Sequence, residues 1–530
     1  MPDSKLPVLS TDAYAFVKRY HRNIYKECRK HFISTDLKQW KPTVGLEIHA
    51  QISTKSKLFS GASTNFNSPI NSCVSLFDCA IPGTMPILNK KCVEAGVLTA
   101  LALSCKVNAV SLFERKHYFY SDLPAGFQIT QQKKPLAVNG EIKFVVFRPG
   151  VCKQPYTMSS KIKQIQLEQD SGRSLYNEDL GRSLVDLNRA GIPLMELVFE
   201  PDLTNGEEAA ALVKELCFTL RLLGTCSCKM EEGALRVDAN VSISKPGAPL
   251  GTRTELKNIG SISAVNHAIE HEINRQISIL EAGGQVLNET RAWSPVDKKT
   301  VIMREKEERH DYRFMPEPNL PPLQLHINEN TENKYNLIDV RSLKEQLPEL
   351  PAQIRQTLQD HGLTPFAFVA ITSNVELFLL YHDILSNGKH REPQLVAKLF
   401  ISEVLPFLKD HNLKLSFCVS NQKYIEESID LVQAEVINQS TLKKVLNKLL
   451  SEPSKMPKQI VEENNWFTLS NEKQLEMICL KVLEKNPKLV RKYKRGNTKT
   501  FKKFLHEVVL FTGGLADMRK VSKIMIRLLG

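Results

Sequence analysis

The sequence lacks any long apolar run and any closely spaced cysteine pairs of the zinc-binding type. No stretch of its 530 residues approaches the roughly eighteen consecutive apolar residues that a membrane-spanning helix needs. Its eleven cysteines are scattered, and Cys226 and Cys228, separated by a single residue, are too close for an ordinary zinc knuckle. We therefore expect no membrane span and no zinc ribbon. The unpatterned cysteines favour reduced thiols and an intracellular compartment.

The standard signatures of nucleotide-binding loops and hydrolases are also absent. There is no GxxxxGK[ST] and no GxGxxG after a strand, so neither a P-loop nor a dinucleotide-binding fold is expected. There is no GxSxG, and Ser159-Ser160-Lys161 lacks the Gly-Ser-rich surroundings of an amidase. If the protein forms or breaks an amide, the nitrogen must be supplied by another protein.

The composition is that of an ordinary globular protein of several domains. Hydrophobic residues make up 42% and charged residues 24% of the chain, and its length favours two to four domains. Residues 1–40 are rich in Lys and Arg and have no secretory apolar core. They are interpreted as an N-terminal extension, either an organellar targeting segment or a plain helical or flexible extension.

The stretch from Val44 to Ser53 alternates perfectly between apolar and polar residues, which predicts a half-buried strand. Glu47 and His49 lie two residues apart on the polar face, so their side chains should project to the same side about 6–7 Å apart. A carboxylate and an imidazole in this arrangement can share a hard divalent cation or a proton, although a solvated strand face would show the same pattern.

Three further stretches place acids and cations on one face if they are extended. Their polar residues are Glu168 and Asp170 in IQLEQDSGR; Arg236, Asp238 and Asn240 in LRVDANVSI; and Arg253, Glu255 and Lys257 in TRTELKN. Glu231 and Glu232 precede the second stretch directly. Oxygen ligands and cations facing one basin are what a magnesium–nucleotide site needs, since the acids hold the metal and the bases hold phosphate oxygens.

The second half of the chain has helical patterns. Residues 365–385, 393–408 and 420–436 are predicted to be helices of one bundle, and Ser440 and Ser470 are predicted N-caps of two later helices. Residues 486–530 contain twelve Lys or Arg and only two acids, so ten of the thirteen net positive charges lie there. This concentration favours a nucleic-acid contact over a merely solvated basic helix face.

Seven blocks of the sequence resemble the B subunit of the tRNA-dependent amidotransferases (GatB). They are VGLEIHAQISTKSKLFS, HYFYSDLPAGFQIT, LEQDSGRS, VDLNRAGIPLMELVFEPD, KMEEGALRVDANVSI, TELKN and DYRFMPEPNLPPL, in the order of the family. The segment QLEQDSG and the basic N-terminal extension are most similar to the mitochondrial branch of the family. The resemblance therefore implies a protein of the mitochondrial matrix.

The resemblance also implies an activity, cofactors and partners. The family amidates glutamate that has been mischarged onto tRNA(Gln). Its B subunit is expected to bind ATP and Mg²⁺ and to phosphorylate the glutamyl side chain, and ammonia from the A-subunit amidase then displaces the phosphate. A small third subunit, of the C type or the fungal F type, is expected to complete the enzyme. The alternative is a non-catalytic tRNA-binding scaffold that retains the fold.

The resemblance carries functional roles onto individual residues. Glu47 and His49 match the family's metal-binding Glu-x-His, Glu168 matches an acid of its second metal motif, and Gln169 stands where many bacterial relatives have another acid and offers a carbonyl oxygen. Expected catalytic residues are Glu47, His49, Glu168 and Lys257; expected metal ligands are Glu47, His49, Glu168 and Gln169; expected ATP contacts are Glu231, Asp238, Asn240, Arg253 and Lys257; and expected tRNA contacts are Arg491, Lys492, Lys494, Arg495, Lys499, Lys502 and Lys503.

The expected fold is α+β. A mainly antiparallel β catalytic (cradle) domain is predicted over residues 41–325, an all-helical domain over 331–450 and a small basic helical tail that binds tRNA over 451–530. Within the first of these, residues 207–223 and 264–282 have amphipathic patterns that predict helices.

Overall fold

The computed structural model describes residues 39–147, 154–305, 312–327, 331–387 and 390–529. Nearly all of the predicted N-terminal extension lies outside the described residues. The chain forms two compact units. Of the described residues, the first unit comprises those up to Phe144 and those within Met158–Val213 and Thr225–Glu345, and the second comprises those within Val145–Thr157, Lys214–Gly224 and Gln346–Gly530. The first is rich in antiparallel strands and the second is helical, so the predicted α+β class is confirmed.

Nine strands of the first part of the chain form one large sheet with the order β14-β13-β12-β11-β1-β10-β7-β6-β2. The strands are β1 (Lys41–Gln51), β2 (Lys106–Val107), β3 (Val110–Ser111), β4 (Glu114–His117), β5 (Phe127–Thr130), β6 (Ala137–Val146), β7 (Tyr156–Gln169), β8 (Arg173–Asn177), β9 (Arg182–Asp186), β10 (Pro193–Phe199), β11 (Leu235–Ser244), β12 (Thr254–Lys257), β13 (Glu289–Ser294), β14 (Lys299–Glu305), β15 (Met315–Pro316), β16 (Leu323–His326) and β17 (Ile338–Asp339). The remaining strands form small sheets, among them β15-β4-β5 and the β8-β9 hairpin.

The predicted strand over residues 44–53 is confirmed as the greater part of β1, which lies between β10 and β11 and pairs antiparallel with both. Its apolar residues, Val44, Leu46, Ile48, Ala50 and Ile52, are all completely buried. Burying a side chain of the Val, Leu or Ile type contributes about 1.5–3 kcal/mol. A slip of one residue would turn this face outward and bury Glu47 and His49, so the core determines which face the polar residues occupy.

Three helices belong wholly or partly to the first unit, and a short one ends it. They are α1 (Lys90–Ala102), α2 (Gly206–Leu222), α3 (Ile262–Glu281) and α4 (Val340–Glu345). The predicted helices over 207–223 and 264–282 are thus confirmed as α2 and α3. Helix α3 packs on β11, begins at the N-cap Ser261, whose hydroxyl accepts from the Ala264 amide, and buries Val265, Ile269 and Ile273 at helical spacing.

The second unit consists mainly of short helices. They are α5 (Pro351–Asp360), α6 (Pro365–Ile371), α7 (Val375–Ser386), α8 (Pro393–Leu399), α9 (Leu405–Asp410), α10 (Ser416–Ser420), α11 (Gln422–Gln433), α12 (Gln439–Ser451), α13 (Pro457–Glu463), α14 (Glu472–Lys485), α15 (Pro487–Lys494), α16 (Phe501–Phe511) and α17 (Met518–Leu529). Two separate apolar clusters lie within it. The first includes Tyr381 and Phe400 and the second includes Phe504 and Met525. The division at residue 450 remains a prediction.

Several predicted helix limits are wrong for identifiable reasons. The helix predicted over 365–385 is broken before Asn374, whose side chain caps α7 by accepting from the Glu376 amide. The helix predicted over 393–408 begins at Pro393 as expected and continues to Asp410, so only its end is wrong. It contains a π-helical segment, Phe400–Val404, just before Pro406, which has no N–H to donate. The helix predicted over 420–436 is shorter, Gln422–Gln433.

The two predicted serine N-caps are also wrong. Asn438 caps α12 by accepting from the Thr441 amide, and Asn471 caps α14 by accepting from the Lys473 amide. An asparagine side chain caps a helix as well as serine does. Among the described residues, no single helix is long and apolar enough to cross a membrane, although the consecutive helices α6 and α7, bent by 108°, reach that length and hydropathy together.

Candidate functional site

The polar faces of five adjacent strands form one basin on the large sheet. In sheet order these strands are β7, β10, β1, β11 and β12. The antiparallel register pairs His49 with Glu196 on β10 and Arg236 on β11, and it pairs Glu47 with Asp238. Because directly paired residues project to the same face of a sheet, these charged side chains are brought together by strand pairing.

The first group in the basin consists of His49, Glu168 and Glu196. The imidazole Nε2 of His49 lies 3.1 Å from Oε1 of Glu168, and one ligand atom from each of the three residues lies within 4.8 Å of the others. Thr130 donates its hydroxyl to the second oxygen of Glu168 at 3.2 Å, and Gln166 donates its amide to Glu196 at 2.5 Å. Both carboxylates are therefore held in place by neutral donors.

The pKa values of this group reflect its concentration of charge. Burial disfavours the charged imidazole, but the hydrogen bond and the charge of Glu168 outweigh it and raise the pKa of His49 to about 9. Burial likewise opposes ionisation of Glu168, yet its contact with His49 lowers the pKa of that carboxyl. Burial and the neighbouring charge of Glu168 raise the pKa of Glu196. At neutral pH the group therefore holds protons that offset its negative charge, as a divalent cation would.

The second group links Glu47 to Asn240. The side-chain amide of Asn240 donates to Oε1 of Glu47 at 3.1 Å. Its carbonyl oxygen is buried and has no hydrogen-bond partner among the described residues. A buried oxygen without a partner costs about 1–3 kcal/mol, so this atom fits a site that receives a cation or a donor from a ligand. Together with the carboxylates and imidazole nearby, it forms a donor set that suits a hard cation such as Mg²⁺.

The third group contains the lysine of the basin. Nζ of Lys257 lies 2.7 Å from Asp238 and 3.3 Å from Glu255. Burial opposes its charge, but the two carboxylates prevail and raise the pKa of Lys257. Thr290 on β13 donates to Glu255 at 3.3 Å. The ammonium group is therefore charged and held on the same face as the acids, where it is able to contact an anionic ligand such as phosphate.

Three other predicted site residues lie outside these groups. Gln169 is the next residue of β7 after Glu168, and successive strand residues project to opposite faces. Its main-chain carbonyl accepts from Gln128 at 2.7 Å, and the residue lines a cavity of about 300 Å³. Glu231, in a short 3₁₀ helix, and Arg253, just before β12, are exposed and make no ion pair or hydrogen bond with the described residues of the basin.

Glu196 is a member of the site that sequence reasoning missed. It is the only charged residue in β10, PLMELVF. An acid in an otherwise apolar strand breaks the local pattern, and such exceptions concentrate at functional sites. This signal was present in the sequence. However, only the pairing of β10 with β1 shows that the acid faces His49.

The predicted tRNA contacts form a second candidate site, in the last helices of the chain. Arg491, Lys492 and Lys494 lie on α15, Arg495 follows it, and Lys502 and Lys503 lie at the start of α16. All six are exposed, and none forms an ion pair with a described residue. Tyr493 anchors the segment by packing on Phe501 and Phe504, with ring centroids 6.1 and 6.5 Å away. The side chain of Lys499 lies outside the described residues.

Comparison with known proteins gives consistent matches over most of the chain. Residues 42–331 match the GatB/GatE catalytic domain, and residues 380–529 match the GatB domain. The chain is 50% identical over 91% of its length to the B subunit of the mitochondrial glutamyl-tRNA(Gln) amidotransferase of Aedes aegypti, of which it covers 92%. It is 44% identical over 92% of its length to the human mitochondrial protein of the same name, covering 88% of it. It is 39% identical over 94% of its length to the B subunit of the aspartyl/glutamyl-tRNA(Asn/Gln) amidotransferase of Rickettsia canadensis, covering 99% of it.

Proposed function

The chain belongs to the GatB/GatE family, in the branch of the mitochondrial B subunits, and from this premise we propose that it amidates Glu-tRNA(Gln) to Gln-tRNA(Gln). In this proposal the protein uses ATP to phosphorylate the tRNA-bound glutamyl side chain. Ammonia from a partner subunit then reacts with the phosphorylated side chain. The observation that carries the proposal is the basin of the large sheet. There, acids, an imidazole and a charged lysine from five adjacent strands face the same side.

The proposed chemistry has two steps. An oxygen of the glutamyl side-chain carboxylate attacks the γ-phosphorus of ATP, the bond from that phosphorus to the bridging oxygen breaks, and ADP leaves. Ammonia then attacks the carbonyl carbon of the acyl phosphate, inorganic phosphate leaves with the bonding electrons, and the nitrogen loses a proton. A free carboxylate is a poor acyl donor, and the first step gives it a good leaving group.

The residues of the basin suit the first step because phosphoryl transfer asks a protein mainly for position and neutralisation of charge. Lys257, held by Asp238 and Glu255, would contact phosphate oxygens. His49, Glu168 and Glu196, with Glu47 beside them, would hold Mg²⁺. When bound, this ion would neutralise phosphate charge. Asn240 positions Glu47 through its amide hydrogen bond.

The tail cations support the binding of tRNA. Six exposed Lys and Arg side chains without ion-pair partners among the described residues create a positive surface on α15 and α16. Such a surface attracts the phosphate backbone with little regard to sequence. The tail is therefore proposed to hold the body of the tRNA.

An exposed segment that is almost free of charge supports assembly with other subunits. Residues 58–89 contain one charged residue, Asp78, which is buried. Large apolar side chains are nevertheless exposed along it: Phe66, Ile70, Leu76, Ile81, Met85 and Ile87. Depletion of charge with exposed apolar groups is typical of the core of a protein–protein interface. We assign this segment to the contact with the amidase subunit, and the small C-type or F-type subunit is the expected third member.

The first test concerns the acyl phosphate. The assembled enzyme is supplied with Glu-tRNA(Gln), ATP and either ammonium or hydroxylamine, which bypass the amidase. We expect Gln-tRNA with ammonium and a γ-glutamyl hydroxamate with hydroxylamine, each accompanied by ADP. The Glu168→Gln variant should form neither. If no ATP turnover dependent on Glu-tRNA were found, the non-catalytic scaffold would be favoured instead.

The second test concerns the source of the ammonia. Because the sequence carries no amidase signature, the purified chain without partners should release no ammonia from glutamine. An Ile70→Asp/Leu76→Asp double variant should fail to co-purify with the amidase, since it puts charge into the apolar segment. Ammonia release by the chain alone would show that the nitrogen does not come from a partner.

A further inference from the structure

An exposed aromatic segment borders the basin. The side chain of Phe119 is 86% exposed and that of Tyr120 is 58% exposed. Tyr118, which connects β4 to Phe119, is half-buried. The hydroxyl of Tyr118 donates to Gln128 at 3.3 Å, and the amide of Gln128 donates to the main-chain carbonyl of Gln169, the neighbour of Glu168. The segment is therefore attached to the strand that carries the basin.

Further aromatic rings cluster around Tyr118. The ring centroids of Tyr118 and Tyr120 lie 5.7 Å apart, and those of Tyr118 and Tyr312 lie 6.3 Å apart. Nζ of Lys116 lies 4.8 Å from the ring centroid of Tyr312. A cation beside a cluster of rings suits a ligand that combines flat bases with phosphates.

The segment is held in shape although its rings are exposed. The Tyr118 amide donates to the carbonyl of Gly126 at 3.1 Å, and the Leu123 amide donates to that of Tyr120 at 3.0 Å. The Phe119 ring packs against Gly126, where φ is +73° and an added Cβ would lie 2.9 Å from the ring. Phe119 is thus presented on an ordered turn, which reduces the entropy lost when a ligand stacks on it.

We propose that Phe119 and Tyr120 form a stacking platform for the unpaired 3′ nucleotides of the aminoacyl-tRNA. The inference rests on the proposed function. Only a few bonds separate the reacting carboxylate from the terminal ribose, so the 3′ end must lie at the rim of the basin when the carboxylate is inside it. Single-stranded RNA is bound largely by stacking of its bases on aromatic side chains.

The test measures amidation by the assembled enzyme with saturating ammonium while Glu-tRNA is titrated. In the Phe119→Leu/Tyr120→Leu variant, KM for Glu-tRNA should rise by about tenfold for each stacked ring that is lost, while kcat changes by less than about twofold. Phe119→Tyr/Tyr120→Phe keeps both rings and should keep the wild-type KM. Tyr335→Leu is the matched control, because Tyr335 is 83% exposed in the same unit and lies in a different loop.

Two further readouts separate stacking from a general loss of structure. A four-nucleotide RNA with the 3′-terminal sequence of the tRNA should compete with Glu-tRNA for the wild type and compete at least about tenfold less well for the double leucine variant. The effect of the leucine substitutions should also be the same at low and high salt, since stacking is not screened as phosphate contacts are.

The outcomes are distinguishable. A wild-type KM in the double leucine variant, or an equal rise of KM in Tyr335→Leu, would overturn the platform while leaving the amidation proposal intact. If the wild-type enzyme formed no Gln-tRNA from Glu-tRNA, the proposed function would fail, and the platform would fail with it.

Discussion

The basin of the large sheet and the basic tail both concentrate charge, but they do so in opposite ways. In the basin, Lys257 lies within 3.3 Å of two carboxylates and His49 lies 3.1 Å from a third. In the tail, six exposed cations have no ion-pair partner among the described residues. The interactions between paired, half-buried charges are hardly screened by salt, so these groups keep a fixed geometry. Exposed charges of one sign produce an electric field that salt weakens. The first arrangement suits bond-making and the second suits the binding of a polyanion.

Removing an acid from the basin should have the largest effect. In Glu47→Ala we expect amidation with free ammonium to fall at least about 100-fold, because an anionic ligand would be lost from the proposed Mg²⁺ site. Assembly with the partner subunits should be unchanged. Glu141→Ala, which removes an exposed acid from β6 of the same sheet, is the control. Wild-type rates in Glu47→Ala would exclude the basin as the reaction site.

Replacing the lysine of the basin should have the next largest effect. Lys257→Met removes the cation held by Asp238 and Glu255, and ADP formation dependent on Glu-tRNA should fall about 10–100-fold. Lys257→Arg keeps the charge and should retain more activity than Lys257→Met. If the methionine variant formed ADP and hydroxamate at the wild-type rate, Lys257 would have no role in phosphoryl transfer.

Reversing charge in the tail should weaken tRNA binding moderately and in a salt-dependent way. In the triple variant Arg491→Glu/Lys494→Glu/Lys502→Glu, the slope of log K against log salt concentration should flatten by about 2–3 units. The matched control reverses three lysines of the same unit, outside α15 and α16, that are already in ion pairs. These are Lys443, Lys448 and Lys458, which lie 3.1, 2.6 and 3.9 Å from carboxylates. Parallel titration lines for wild type and tail variant, at three ionic strengths, would mean that the tail charge is only a solvated surface.

The smallest effect should appear when the same tail variant is saturated with tRNA. The amidation rate of bound substrate should then change by less than about twofold, since the reacting groups of the basin belong to the other unit. The rate is measured in single turnover with saturating Glu-tRNA and free ammonium. A large fall under these conditions would show that the tail also shapes the reaction, and the distinction between the two regions would no longer hold.

The sequence predicted the parts of the site that depend on alternation along one strand. Glu47 and His49 on β1, and Asp238 and Asn240 on β11, face the side that their patterns indicate, because the opposite faces are apolar and buried. It did not reveal Glu196, since no local pattern says which strands are neighbours. The two predicted serine caps failed for a different, local reason, because Asn438 and Asn471 lie within two residues of those serines and cap a helix equally well.

The sequence alone was enough to predict the class of the two halves, the inward and outward faces of the central strands and the position of the basic tail. These three features follow from the spacing of apolar residues, the composition and the charge of individual segments, which are all local properties of the sequence. The fold was needed to show that Glu196 completes the group with His49 and Glu168, and that Asn240 contacts Glu47 although 193 residues separate them in the chain. These contacts could not be predicted because strand pairing brings distant segments together through main-chain hydrogen bonds. Such bonds are available to every strand and leave no trace in the side-chain pattern.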